Sequence, residues 1–178
     1  MRSCIFQFIL SATAVALGFS SPAFALNVKR LQPSEEAIRA SILQTLDPVI
    51  APKKKDGTAV LLKWEELYAP LNPEQRAFLD AFRALRAKDV GGKSQYYGDA
   101  LPDNLAVVGP QTMIKDGAPT PVDPQYPPQP VLQSYQRMMA AMKTDLGKQL
   151  LVESGYRSPA YQLYLFLFYM SNHDLSVV

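Results

Sequence analysis

Cysteine, histidine and tryptophan are nearly missing from this 178-residue sequence, which holds one of each. The cysteine, Cys4, lies in a stretch that reads as a removable leader. The mature chain therefore has no disulfide and no thiolate metal ligand. An excess of one charge is also missing: 18 Lys and Arg stand against 16 Asp and Glu, a net +2. That balance points neither to nucleic acid nor to an acidic surface. There is no phosphate-binding glycine loop and no Gly-x-Ser-x-Gly elbow. Serine catalysis would need His173 as its base, and no nucleophile accompanies it.

What is present is a hydrophobic content of 48%, which argues for a globular chain. The length fits one domain, or one domain with an arm. At the start, Arg2 is followed by the mostly apolar Phe6–Leu17, too short to span a bilayer comfortably. Ala23-Phe24-Ala25 then gives a small-x-small cleavage pattern. Residues 1–25 read as a secretory signal, and the mature protein is expected to be exported, periplasmic, and without stable membrane insertion.

Residues 26–100 read as a helical segment. Pro33, a Ser34 cap, and Ile38, Ile42 and Leu46 at four-residue spacing predict a helix over Ser34–Leu46, ended by Pro48. Lys53–Gly57 reads as a solvated charged turn. A stronger helix is expected over Asn72–Lys88, with Asn72 as cap, Pro73 in the first position and Gln75 as capping-box partner. Phe78, Phe82 and Leu85 form its apolar face, and Gly91-Gly92 stops it. Trp64, Tyr68 and these rings read as core rather than a ligand groove.

Residues 101–130 hold eight of the 15 prolines. The run Gly117–Pro130 is compatible with neither a regular helix nor an inner strand, so an extended arm is expected. Asn104–Gly109 before it suggests an edge strand. Val131–Leu146 predicts a helix with a broad apolar stripe, read as core, and Gly147 as its C-cap. Leu150-Leu151-Val152 predicts a short buried strand.

Next comes Ser154-Gly155-Tyr156-Arg157-Ser158-Pro159. Gly155 permits a tight turn, Ser158 is a good N-cap and Pro159 a good first helical residue. A helix N-terminus with an adjacent guanidinium, and Gln162 in the first turn, makes a seat for an anion, most naturally a carboxylate. Pairing of Arg157 with Glu153 is the alternative. The helix itself is apolar on nearly every side. The candidates to cover it are the Val131–Leu146 helix, the strand and the N-terminal helices. That cover looks thin enough to predict poor solubility or a molten state.

The stretch "LLVESGYRSPAYQ" resembles the Ser-Gly-Tyr-Arg-Ser…Gln motif of the zinc D-alanyl-D-alanine carboxypeptidases of the VanY type. The upstream order of extended arm, helix and strand is similar too, and the likeness covers about residues 104–178. It implies an α+β fold: an incomplete carboxypeptidase-like domain, with its N-terminal portion in residues 131–178, preceded by the helical segment. It also implies cleavage of a C-terminal D-amino acid from peptidoglycan stem peptides. By the same resemblance Arg157 is the catalytic-site arginine, and Ser158 and Gln162 hold the substrate.

The zinc ligands of that family lie downstream of the motif, in a Ser-x-His-x-x-Gly-x-Ala-x-Asp segment and a Glu-x-Trp-His segment. Neither occurs in these residues. His173-Asp174 has no ligand spacing around it and reads as a surface or helix-end histidine. A catalytic zinc needs about three protein ligands. No metal is therefore expected to bind this chain, and it reads as a truncated or partial family member, inactive as it stands. The alternatives are a non-catalytic periplasmic module that binds peptidoglycan or another partner, and a helical structural protein with no site.

Overall fold

A computed structural model describes residues 31–85 and 102–170. Residues 1–25, read above as a secretory signal, Gly91-Gly92 and His173 lie outside the described residues. Among the described residues five helices and one hairpin follow in order: α1 (Pro33–Lys55), a 3-10 turn (Ala59–Leu61), α2 (Trp64–Tyr68), α3 (Pro73–Arg83), β1 (Gln111–Lys115), β2 (Ala118–Val122), α4 (Gln129–Leu146) and α5 (Pro159–Met170). This mixture of helix with an antiparallel sheet is α+β.

The helix α1 is longer than expected. It starts at Pro33, and Gln32 rather than Ser34 takes the cap position; the Gln32 N–H donates to the Glu35 carboxylate at 2.6 Å. It also runs through Pro48 and Pro52 instead of ending at the first. Both prolines sit on the exposed side, where water can serve the carbonyls they leave without an N–H. The opposite side buries Ile42, Leu46 and Ile50 completely or nearly so. Each such side chain contributes about 1.5–3 kcal/mol, enough to carry the helix through the proline interruptions.

The lysines expected in a solvated turn form the last turn of α1. Lys53 pairs with Glu66 at 2.7 Å. Burial works to raise the Glu66 pKa, but the hydrogen bonds from Lys53 and the Lys63 backbone, with the charges of both lysines, outweigh it and hold it below the usual value. The Lys54 ammonium lies over the Tyr164 and Phe168 rings, 5.1 and 4.9 Å from their centroids. Asp56 follows, and Gly57 turns the chain at φ +68°.

The capping box read at α3 is present: Asn72 Oδ1 accepts from Gln75 N–H at 2.9 Å, and Gln75 Oε1 accepts from Asn72 N–H at 3.0 Å. Phe78 and Phe82 are buried, meeting edge to face at 5.0 Å. Trp64 and Tyr68 pack against the same core.

The proline-rich arm contains a hairpin, which the sequence reading did not anticipate. Asp116 (φ +52°) and Gly117 (φ +81°) form a two-residue turn, with Lys115 opposite Ala118 and Gln111 opposite Val122. Such turns need positive φ at both positions, which Asp-Gly supplies. Pro119 and Pro121 lie opposite Ile114 and Thr112. Alternation from the turn puts both prolines at non-hydrogen-bonded positions, so the ladder loses no donor. Asn104–Gly109 is not a strand; it makes two isolated bridges, Leu105 to Pro128 and Val108 to Gln125.

The helix α4 ends at Gly147 in the left-handed conformation, as expected. Its apolar stripe is not core, however. Leu132 and Met139 are buried, while Val131, Met138 and Leu146 are 55%, 48% and 62% exposed. Leu150–Val152 is neither a strand nor buried, with Leu150 51% exposed. A strand needs a neighbour, and among the described residues none runs beside it.

The helix α5 finds its cover in the N-terminal helices. Ala160, Tyr161, Tyr164, Leu165, Leu167 and Met170 join Ile42, Leu46, Ile50, Leu62, Phe78 and Phe82 in one hydrophobic cluster. The α4 residues Leu132 and Met139 are not part of it. The cover judged thin from the sequence closes over most of α5, leaving Tyr169 as its exposed aromatic.

Candidate functional site

The segment 154–162 leads from the α4–α5 connection into the first turn of α5, and hydrogen bonds tie it to the arm. The Ser158 hydroxyl oxygen accepts from Tyr161 N–H at 3.1 Å, which caps the helix, and Pro159 occupies the first helical position. Ser158 is buried at 3% exposure, and its own N–H donates to Val60 O at 2.8 Å. The helix terminus therefore consumes part of its own anion-binding capacity: Pro159 has no N–H, the Tyr161 N–H is taken, and Ala160 is buried.

Arg157 and Gln162 are exposed. No ion pair joins Arg157 to Glu153 among the described residues. The alternative of a structural Arg157–Glu153 pair therefore finds no contact. A solvent-facing guanidinium on a tethered backbone is free to take a carboxylate from outside in a two-pronged hydrogen bond.

A groove of about 340 Å³ lies beside this segment. One wall is Ser154, Gly155 and Tyr156 with Val152; the other is Pro127, Pro128, Val131 and Tyr135 at the start of α4. Burial raises the Tyr156 pKa above its ordinary value. The motif is thus divided. Ser154–Tyr156 face the groove, Arg157 and Gln162 face solvent, and Ser158 faces inward to cap α5.

Gly155 is required by a close approach. A Cβ there would meet Tyr126 N at 2.8 Å and Tyr126 C at 3.2 Å. The arm residues that hold this turn, Gln111, Gln125 and Tyr126, were not singled out by sequence reasoning. They sit among prolines and carry no local pattern that marks them.

Among the described residues no three His, Cys, Asp or Glu side chains come together to hold a metal. The groove walls carry no such residue. No helix among the described residues is long and apolar enough to cross a membrane. No protein-family model, curated protein or solved structure matches this chain.

Proposed function

We propose that this chain is the substrate-holding part of a D-alanyl-D-alanine carboxypeptidase-like protein of the periplasm. In this reading it takes peptidoglycan stem peptides by their C-terminal carboxylate. Arg157 binds the carboxylate, Gln162 adds an amide contact, and Ser158 acts by capping the helix that carries Gln162. The single observation that supports the reading best is the exposed Arg157, without an ion pair among the described residues, held between buried Ser158 and the groove-lining Tyr156. A structural arginine would be expected to pair or to cover apolar surface.

The test is a titration of the purified chain with a stem pentapeptide ending in D-Ala-D-Ala, and with the same peptide as its C-terminal amide. The amide and the Arg157→Ala variant are each expected to weaken binding about tenfold, the scale of one charge-assisted hydrogen bond. Equal affinity for acid and amide would remove the carboxylate seat.

A second reading is a non-catalytic periplasmic peptidoglycan-binding module; among the described residues no three His, Cys, Asp or Glu side chains come together to hold a metal. Following the same mixtures for D-alanine release tests it. Release of D-alanine by the purified chain would overturn the second reading, whereas binding without release is compatible with a substrate-holding part as well as with a module.

A further inference from the structure

The backbone ahead of Arg157 is fixed from outside its own segment. Gln111, the first residue of β1, spends both ends of its amide on Val152. Its Nε2 donates to Val152 O at 3.1 Å, and Val152 N–H donates to its Oε1 at 2.9 Å. A side-chain amide in this pose replaces the peptide unit of a neighbouring strand. Gln125 then takes the next anchor point, where its Oε1 accepts Gly155 N–H at 2.8 Å.

Gln125 is itself held twice. Its Nε2 donates to Asp123 O at 3.0 Å, and its backbone carbonyl accepts Val108 N–H at 2.9 Å. The chain continues the contact one residue on, with Tyr156 N–H donating to Tyr126 O at 3.2 Å. Beyond the arginine, Ser158 N–H donates to Val60 O. Arg157 therefore lies between two tethered amides while its side chain stays exposed.

We propose that Gln125 is a positioning residue for Arg157: its side-chain amide fixes the Gly155–Tyr156 turn, so that the guanidinium meets a ligand carboxylate from one backbone geometry. This role rests on the carboxylate-binding reading above. Its benefit is preorganisation, because a turn already ordered loses less freedom when the ligand arrives.

The experiment combines backbone amide exchange with the acid-and-amide titration. In the unaltered chain the Gly155 and Tyr156 amides should exchange more slowly than the amide of exposed Glu153. Equal rates would overturn the clamp, and this measurement needs no variant. In Gln125→Met, which keeps the side-chain length but removes the amide, exchange at Gly155 should quicken. The preference for the acid peptide over its amide should fall about five- to tenfold, the scale of one hydrogen bond. A preference that survives Gln125→Met but falls in Arg157→Ala overturns the positioning role and leaves the carboxylate seat standing. A preference untouched by either substitution overturns the seat, and the positioning role with it.

Discussion

Tyr68 donates a 2.6 Å hydrogen bond to Asp80 Oδ1, in a partly buried setting that opposes ionisation of its phenol. Burial raises its phenol most, and the Asp80 acceptor and charge add to that. Together they outweigh Arg83 and push the pKa from 10.0 to about 12. The folded state therefore favours the neutral phenol. Its contribution is complete below the unfolded value of 10.0 and is lost as pH rises from there towards about 12. Burial acts in the same direction on Tyr156 and Tyr161, so the test must isolate Tyr68. Urea midpoints measured across this window should fall less steeply for Tyr68→Phe than for the unaltered chain. Parallel curves would show that ionisation of Tyr68 does not contribute to the loss of stability in this window.

At the scale of elements, α1 shows how burial overrides local rules. An interior proline costs a helix about 3 kcal/mol relative to alanine, and α1 carries Pro48 and Pro52. Replacing the exposed Pro48 by Ala restores a backbone donor but also loosens the unfolded chain. The net expectation is a gain of about 1–2 kcal/mol, read as a higher urea midpoint with an unchanged slope. A loss would mean that α1 bends at Pro48 in a way the core needs.

The same contest explains which elements were legible in the sequence. The start of α3 was legible because Asn72 and Gln75 satisfy each other within three residues. The start of α5 and the Gly147 cap were legible from local residues too, but α4 starts at Gln129, two residues before the expected Val131, with no side-chain cap to mark it. The end of α1 was not legible, because the burial of Ile50 beyond Pro48 is decided by tertiary contacts. Leu150–Val152 has the composition of a buried strand, but strand formation depends on a neighbour that no local pattern supplies. Asp116-Gly117 did carry a readable hairpin signal, hidden by the prolines around it. Of the candidate site, the motif itself was readable. The glutamines that hold it were not, because their partners lie 30 and 41 residues away in sequence.

Across the whole molecule, the helix that follows the motif completes the core of the N-terminal helices. Leu167 is fully buried, and its carbonyl accepts from Arg39 of α1 at 3.2 Å. Lys54, near the other end of α1, donates to the Tyr164 hydroxyl at 3.2 Å. Phe82 of α3 meets Phe166 at 5.9 Å. These ties cross more than 80 residues of chain, so unfolding of α5 should be coupled to unfolding of residues 31–85. The lone tryptophan, Trp64, lies in that segment beneath the Arg83 guanidinium, 4.1 Å from its ring, and reports on it directly. Leu167→Ala removes a buried side chain in α5 and should cost about 2–5 kcal/mol. If the coupling holds, the Trp64 fluorescence transition moves to lower temperature together with the loss of helical circular dichroism. A Trp64 transition that stays in place while the helical signal shifts would show two independent units. The motif would then be anchored to the arm alone, without the Val60 contact that ties it to the helical core.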